Sequence, residues 1–273
     1  MKLCPKFKFT LILRLLIALQ KIKYFNGGNA VSNILIVGAD SNIGSRIAEF
    51  FLDKADNLIL WGYDAIQRLE KIRKKRGSVK IISADISDET AVNKIFSGEL
   101  SETTIDTFIN CATLRSSDFQ ALPETDSHLW KRITEVNVLG NYYLLRNILP
   151  KMRDKGGNII LFGSNVSRIG LKNGSAYAAS KAAVANLTRT IALEESRNNI
   201  LINTVSPGPV MIDNKHFSEE YRTFREEYYK KELAQIPAGR LLNIDEILSV
   251  IDFLTSKNTY MTGEEIFLTG GKL

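Results

Sequence analysis

The sequence predicts an α/β fold: a single doubly wound domain in which a seven-stranded parallel sheet carries helices on both faces. From Ser32 onward, short β-rich runs alternate with longer helical patterns, which is typical of parallel βαβ units. Seven such runs follow one another without a linker, which favours one domain. The 273 residues, 44% apolar and 24% charged, have the composition of an ordinary globular protein.

The predicted elements follow in order from the first strand. The apolar run Ile34–Val37 is the first buried strand, and the pattern of Ile43–Lys54 is the helix after it. Asn57–Trp61 is the second strand. Asp64–Arg76 is a helix whose basic C-terminal turn is better explained by the helix dipole than by nucleic-acid binding. The remaining strands are Val79–Ser83, Thr107–Asn110, Asn158–Phe162, Leu201–Val205 and Glu265–Leu268.

The net charge of +6 belongs to an N-terminal arm, residues 1–30. The arm holds six of the 36 basic residues and none of the 30 acidic ones, so the remainder has 30 of each sign. A body without net charge has no electrostatic footprint for nucleic acid, which excludes that class of partner. The two cysteines, Cys4 and Cys111, exclude a disulfide framework and favour a reducing, cytoplasmic location.

The arm combines basic residues with the apolar run 10–19, which Arg14 interrupts. This run is far shorter than the ~20 residues that a membrane-spanning helix needs, and no small-residue cleavage site follows it. Three interpretations stay open: a basic amphipathic helix in peripheral contact with a membrane or a partner, a packed N-terminal helix, or an extension that the fold does not need. We therefore divide the chain into this arm and a body, residues 31–273.

The first predicted strand passes through a glycine-containing turn directly into a helix. Gly38 and Gly44 flank this turn, and Asn42 replaces its middle glycine. Such a turn directs backbone N–H groups and a helix N-terminus toward an anion, such as the pyrophosphate of a dinucleotide. The alternative is a βα turn that binds no ligand.

A second pattern pairs a tyrosine with a lysine. Tyr177 and Lys181 are four residues apart on a predicted helix and share one face of it, and Ser164 ends a strand upstream. A phenol has a pKa near ~10 and exchanges protons poorly at neutrality, but a neighbouring ammonium lowers that pKa. Ser164 would then hydrogen-bond a substrate oxygen beside the phenol. The alternative is a solvent-exposed pair on a helix surface.

With Asn110-Cys-Ala-Thr113, Asn137 and Pro207-Gly208 added, these residues have the order and spacing of a known family. The sequence resembles the short-chain dehydrogenase/reductase superfamily over residues 32–273, and its segments 235–241 and 261–264 look most like bacterial β-ketoacyl-acyl-carrier-protein reductases. The resemblance implies a Rossmann-type catalytic domain and hydride transfer between NAD(P)(H) and a ketone or secondary alcohol.

The resemblance also implies a role for each matching residue. Tyr177 would protonate the carbonyl oxygen, Lys181 would hold the nicotinamide ribose and tune Tyr177, and Ser164 would orient the carbonyl. Asn137 would hold a water in a proton relay behind Lys181. No metal ligand is expected. The implied cofactor-binding residues are Gly38, Ser41, Asn42, Ile43, Gly44, Asp85 (at the adenine ring), Ile86, Asn110, Ala112, Tyr177, Lys181, Pro207, Gly208 and Val210, with the segment to Ile212 bordering the nicotinamide.

Departures from the family pattern affect the cofactor side. Thr113 stands where the family usually has glycine, and Ile212 replaces a threonine that often contacts the carboxamide. Gly62, at the end of the second strand, occupies the usual position of an acidic residue that binds the ribose hydroxyls of NAD. Asp64 lies two residues on, and no arginine occupies Ser41 to clamp a phosphate. We therefore predict NAD(P)(H) with a slight lean to NADP(H).

Residues 213–235 correspond to the family's variable substrate lid. Phe217, Tyr221, Phe224 and Tyr228 have helical spacing, which is consistent with an apolar cover over the substrate or with a helix packed on its own domain or a second subunit. A β-ketoacyl thioester is the first expected substrate. The alternatives are a sugar, nucleotide-sugar or polyol, or a nucleotide sensor without turnover. Relatives with this C-terminal pattern imply a homotetramer or a dimer.

Overall fold

The computed structural model describes residues 32–76, 78–116, 119–212 and 219–272, without the side chains of 220, 221, 224 and 225. Its seven strands form one sheet in the order β3-β2-β1-β4-β5-β6-β7, and every neighbouring pair is parallel. The predicted fold class is confirmed. The strands are β1 Asn33–Val37, β2 Asn57–Gly62, β3 Val79–Ser83, β4 Thr107–Asn110, β5 Gly157–Phe162, β6 Ile200–Pro207 and β7 Glu265–Leu268.

Helices follow most of the strands, as parallel crossovers require. A π-helical turn, Glu135–Leu139, joins the fourth helix to the fifth. The helices are α1 Asn42–Phe51, α2 Ile66–Arg73, α3 Glu89–Ser97, α4 Ser127–Thr134, α5 Gly140–Met152, α6 Val166–Ile169, α7 Ser175–Glu195, α8 Glu219–Leu233 and α9 Ile244–Ser256.

Two apolar layers lie on opposite faces of the sheet. Successive side chains of a strand point to opposite faces, so Leu35 of β1 packs in one layer and Ile36 packs in the other. The first layer includes buried residues of α3, α5 and α7, and the second includes residues of α1, α2 and α9. The strands therefore read as near-continuous apolar runs, because both faces are covered.

The sheet reverses its winding direction beside β1. Val37 at the end of β1 pairs with Trp61 of β2 on one side and with Asn110 of β4 on the other. The loops that follow β1 and β4 therefore leave the sheet in opposite directions. In open α/β sheets, ligands bind in the crevice outside the carboxyl ends of the strands at such a point.

The second helix begins later than the sequence pattern predicts. It was predicted over Asp64–Arg76 and spans Ile66–Arg73. The backbone N–H groups of Tyr63, Asp64 and Ala65 donate to the carboxylate of Asp40 instead of continuing a helix. The Asp40 carboxylate of the β1–α1 turn therefore determines where α2 begins. The apolar periodicity of α2 itself contains no information about this contact.

The arm, residues 1–30, lies outside the described residues, as does 213–218 of the predicted lid. In the part of the chain that the structure describes, no helix is both long and apolar enough to cross a membrane. Within the same ranges, no group of three or more His, Cys, Asp or Glu side chains is arranged to hold a metal ion.

Candidate active site

Several predicted site residues lie at the carboxyl ends of neighbouring strands. Gly38 follows β1, Asn110 ends β4, Ser164 follows β5 and Pro207 ends β6. The carboxyl ends of parallel strands share one edge of the sheet, so the structure places these residues along one crevice.

The β1–α1 turn packs tightly against the loop after β4. Gly38 has φ of +68°, and a Cβ there would lie 2.4 Å from the backbone nitrogen of Ala112. Only glycine combines this φ with so close an approach at low cost. A Cβ on Gly44 would lie 2.1 Å from the Gly38 carbonyl oxygen, so the first turn of α1 also needs glycine.

The N-terminus of α1 presents free backbone donors at this turn. The Ser41 hydroxyl caps the helix by accepting from the N–H of Gly44 at 3.0 Å. The N–H groups of Asn42 and Ile43 belong to the first turn and have no intrahelical acceptor, and no other described residue accepts from them. These donors and the helix dipole fit the pyrophosphate of a dinucleotide. The contact itself stays a prediction.

Asp85 is held by protein partners at the end of β3. Its carboxylate accepts from the backbone N–H and hydroxyl of Ser87, at 2.9 and 2.7 Å, and pairs with Arg132 of α4. Partial burial raises the pKa of Asp85, but the hydrogen bonds from Ser87 and the charge of Arg132 outweigh it, so the pKa lies below its ordinary value. Next to it, Ile86 is buried against Gly140. Contact of this segment with an adenine ring stays a prediction.

The predicted nicotinamide border is anchored to β7 and to the lid helix. The N–H of Gly208 donates to the carbonyl of Leu268 at 2.9 Å. The carbonyl of Val210 accepts from the hydroxyl of Tyr229 on α8 at 2.8 Å. The helical part of the predicted lid therefore contacts this border through Tyr229. Of the four aromatic residues predicted to share a lid face, Tyr228 is described and is 38% exposed; the side chains of the other three lie outside the described residues.

The predicted tyrosine, lysine and serine are together. Tyr177 and Lys181 are both buried on α7, and the Lys181 ammonium lies 5.6 Å from the centre of the Tyr177 ring. Lys181 Nζ also donates to the carbonyl of Phe162, at the end of β5, at 2.7 Å. Ser164 follows β5, and its hydroxyl helps to lower the pKa of the phenol. The pair is therefore not a solvent-exposed pair on a helix surface.

The charges around Tyr177 favour its ionised form. Burial by itself raises the pKa of the phenol, but the charges of Lys181 and Arg115 and hydrogen bonds from Ser164 and Arg115 lower it below its ordinary value overall. Burial lowers the pKa of Lys181, Tyr177 raises it and the charge of Arg115 lowers it, so that pKa also lies below its ordinary value. Shifts of this kind bring a phenol closer to proton exchange near neutrality.

Arg115 is a site residue that the sequence analysis missed. Its guanidinium lies 5.9 Å from the centre of the Tyr177 ring, and its charge helps to lower the pKa of the phenol. Arg115 is exposed on the loop after β4, and no carboxylate among the described residues pairs with it. The sequence did offer a signal for Arg115. It is a basic residue in the loop that follows the carboxyl end of the central strand β4, two positions after Thr113.

Asn137, buried within the π-helical turn, holds this same loop. Its Nδ2 donates to the Leu114 carbonyl and to the Ser180 hydroxyl, both at 2.9 Å. Its Oδ1 accepts from the Leu114 N–H at 2.7 Å and from the Thr113 hydroxyl at 3.3 Å. These four bonds use the full capacity of the amide. A relay water at the Asn137 side chain would have to replace one of these bonds, and the relay role of Asn137 stays a prediction.

A third asparagine completes a buried chain of amides. Asn110 at the end of β4 donates to Asn141 Oδ1 at 2.8 Å and accepts from the N–H of Ala112 at 3.0 Å. Asn141 in turn donates to the carbonyl of Asn137 at 2.7 Å. The chain links the glycine turn, which packs on Ala112, to the proton-transfer side of the crevice. The sequence pattern did not single out Asn141.

Comparison with known proteins identifies the family. A family model described as enoyl-(acyl carrier protein) reductase matches residues 37–272, nearly the whole described body. The chain belongs to the short-chain dehydrogenase/reductase family. Members of the family are oxidoreductases that use NAD(P)(H) and act on alcohol or ketone groups, and this chain is one of them.

Relatives within the family differ in their substrates. L-fucose dehydrogenase of Mus musculus is 30% identical over 240 residues, which cover 87% of each chain. The 3-oxoacyl-(acyl-carrier-protein) reductase of Vibrio cholerae is 29% identical over 241 residues, which cover 87% of this chain and 95% of that protein. A solved 3-oxoacyl (acyl-carrier-protein) reductase of Agrobacterium tumefaciens C58, with NADP bound, superposes with a TM-score of 0.78 at 25% identity and covers 92% of this chain and 96% of its own.

Proposed function

We propose that Tyr177, Lys181, Ser164 and Asn137 form the proton-transfer machinery of a ketone/secondary-alcohol oxidoreductase. Ketone reduction takes its hydride from bound NAD(P)H, and alcohol oxidation gives a hydride to bound NAD(P)⁺. The phenolic oxygen of Tyr177 donates its proton to the carbonyl oxygen of the substrate and takes it back in the reverse direction. Ser164, whose hydroxyl acts on the pKa of the phenol, orients that carbonyl. Asn137 positions the loop that carries Arg115.

Two cations, the buried Lys181 and the exposed Arg115, stabilise the phenolate that proton donation leaves behind. Their charges lie 5.6 and 5.9 Å from the centre of the Tyr177 ring, close enough to favour the ionised phenol. Lys181 is 2% exposed, so its charge is little screened. Its further role in holding the nicotinamide ribose is part of the same proposal.

The proposed substrate class rests on the position of the Arg115 guanidinium beside the Tyr177 ring. A guanidinium beside the phenol, exposed and without a carboxylate partner among the described residues, suits a substrate with a second oxygen acceptor close to its reacting carbonyl. A β-ketoacyl thioester has that arrangement, because its thioester oxygen is two carbons from the ketone. We therefore propose β-ketoacyl thioester reduction, in keeping with the reductases among the relatives.

The second candidate is a sugar, nucleotide-sugar or polyol dehydrogenase. Vicinal hydroxyls would meet the same guanidinium, and the L-fucose dehydrogenases among the relatives support this candidate. From a different class, a nucleotide sensor that has lost turnover would bind the cofactor alone. The complete set of Tyr177, Lys181 and Ser164 speaks against a sensor, since binding alone does not need a proton donor.

A substrate panel with matched ketones tests these candidates. We expect NADH or NADPH oxidation with an acetoacetyl thioester to exceed that with butan-2-one, which lacks the second acceptor, and Arg115→Met to remove most of the difference while Arg115→Lys retains part of it. Faster oxidation of L-fucose or a polyol than reduction of the thioester would favour the second candidate. Nucleotide binding without turnover on the whole panel would favour the sensor.

The location and assembly belong to this proposal as well. We propose a cytoplasmic homotetramer, or a dimer, built from the body of the chain. The described surface exposes Leu139 and Tyr142 around the start of α5, Leu193 on α7, and Tyr260 near the C-terminus, which is 92% exposed. Apolar groups at such positions suit contacts with a second subunit. Peripheral membrane contact through the arm is a further part of the proposal, based on its basic and apolar sequence.

A further inference from the structure

The carboxylate of Asp40 fills an anion-binding turn within the protein. Its Oδ2 accepts from the backbone N–H groups of Tyr63, Asp64 and Ala65 at 3.0, 2.9 and 3.0 Å. Three successive N–H groups ahead of a helix form a concavity that binds anions such as phosphate. Here the anion is a side chain from the neighbouring βα turn.

The Asp40 carboxylate lies where dinucleotide-binding folds usually have an acidic side chain, at a position where this chain has glycine. Gly62 ends β2, where dinucleotide-binding folds place the acidic residue that accepts from the ribose hydroxyls. A Cβ on Gly62 would lie 2.8 Å from Asp40 Cγ. The carboxylate that Gly62 cannot supply is therefore supplied from the β1–α1 turn, by a residue 22 positions earlier in the chain.

The second oxygen of Asp40 is available to a ligand. Asp40 is partly exposed, and no described residue donates to its Oδ1. A ribose 2′-hydroxyl is a donor that such an oxygen can accept from. A 2′-phosphate would find the three N–H groups already occupied, and it would face a like charge.

We propose that Asp40 selects the nucleotide, so that this chain binds NADH in preference to NADPH. The inference rests on the family's use of NAD(P)(H) and is independent of the substrate proposed above. The slight lean to NADP(H) followed from the absence of an acidic side chain at Gly62. The structure places a carboxylate there from elsewhere in the chain.

The charged groups around Asp40 include one that opposes the proposal. Arg68 of α2 donates to the Asp40 carbonyl at 2.8 Å and to Asn42 Oδ1 at 3.1 Å. A guanidinium in this place is a potential partner for a 2′-phosphate. Both of these acceptors are oxygens at the β1–α1 turn, so Arg68 stabilises the backbone that carries Asp40. The experiment includes Arg68 because its role decides between the two nucleotides.

Binding of cofactor fragments tests the proposal without turnover. Calorimetry on the full-length protein compares 5′-AMP with 2′,5′-ADP, and nucleotide fluorescence compares NADH with NADPH. We expect wild type to bind the fragment and the coenzyme that lack the 2′-phosphate at least ~10-fold more tightly. Asp40→Asn and Asp40→Ser are expected to reduce this ratio at least ~10-fold, mainly by tighter binding of the 2′-phosphorylated ligands. Arg68→Met is the matched control and is expected to leave the ratio above one.

The outcomes separate the possibilities. Tighter binding of 2′,5′-ADP than of 5′-AMP by wild type would overturn the proposal, and loss of that preference in Arg68→Met would assign the phosphate to Arg68. An unchanged ratio in a folded Asp40→Asn protein would overturn it as well. Because the wild-type fragment comparison needs no variant, a variant that fails to fold leaves the proposal falsifiable. A substrate panel without turnover would contradict the proposed reaction and leave these binding ratios unaffected.

Discussion

Asn137 holds Leu114 by both backbone groups of that residue, at 2.9 Å from its carbonyl and 2.7 Å from its N–H. The same amide donates to Ser180, whose hydroxyl donates to the carbonyl of Tyr177 at 2.8 Å. One buried side chain therefore fixes the distance between the loop that carries Arg115 and the helix that carries Tyr177. We therefore propose that Asn137 positions these two elements, in addition to its proposed place in the proton-transfer machinery.

We expect Asn137→Ala to lower kcat and to destabilise the fold. The substitution leaves two partly buried backbone groups of Leu114 unpaired, and an unpaired group costs up to about 1–3 kcal/mol when it is fully buried. Thermal unfolding and steady-state kinetics measure both effects. Asn147→Ala is the matched control, because Asn147 lies on α5, which follows this turn, but its amide bonds to Asn93 and to the Tyr143 carbonyl and not to the loop that carries Arg115. Equal losses in both variants would contradict a positioning role.

Tyr177→Phe is expected to reduce turnover by at least ~10²-fold, because it removes the proton donor. Nucleotide binding should stay nearly unchanged, as measured by fluorescence titration. Lys181→Ala should weaken both, since Lys181 supports the phenolate and is proposed to hold the ribose. A Tyr177→Phe protein that kept more than a tenth of the wild-type rate would disprove the assigned mechanism.

The pH dependence of alcohol oxidation should report the lowered pKa of Tyr177. Oxidation needs the phenolate, so its rate is expected to rise as pH increases through a pKa below the ordinary phenol value, and reduction is expected to fall over the same interval. Arg115→Met removes a nearby positive charge, which raises that pKa and moves both limbs to higher pH. Profiles of kcat in both directions measure the shift. Coincident profiles for the two proteins would show that Arg115 does not act on the phenol.

Gly62→Ala should destabilise the protein through Asp40. The new Cβ would lie 2.8 Å from Asp40 Cγ and 3.0 Å from Leu69 Cδ1, so the carboxylate must shift, which strains its bonds to the three N–H donors. Overpacking of this kind costs about 1–3 kcal/mol. In an Asp40→Gly background the same substitution should cost less, and a double-mutant cycle from denaturant unfolding measures that coupling. Additive effects would show that the two residues are not in contact in solution.

Deleting residues 1–30 is expected to leave activity and oligomer size intact, because every residue of the described site lies after Val31. The deletion also removes the whole net charge of +6, which lowers solubility near neutral pH and any affinity for anionic vesicles. Light scattering, activity and vesicle co-sedimentation compare the two forms. A monomeric or inactive shortened protein would show that the arm is structural.

The elements and the Tyr177–Lys181 pair were accessible from the sequence because they are local patterns. A buried strand is a short apolar run, and four residues along a helix place two side chains on one face. Ser164 was inferred from its place at a strand end, whereas Asn137 came from its place in a family pattern and not from geometry. The exact start of α2 was missed, because donors at its N-terminus are engaged by Asp40 from outside the helix.

The sequence by itself determined the α/β class, the order of the strands along the chain and the family. Periodicity and motif spacing are properties of neighbouring residues, so they are readable without coordinates. The tertiary structure decided that Arg115 meets Tyr177 and that Asp40 takes the place of a side chain at Gly62. Each of these contacts joins residues that are distant in the chain. The pairing of β1 with β2 brings the Asp40 turn to Gly62, and the pairing of β4 with β5 brings the Arg115 loop beside the segment that carries Tyr177.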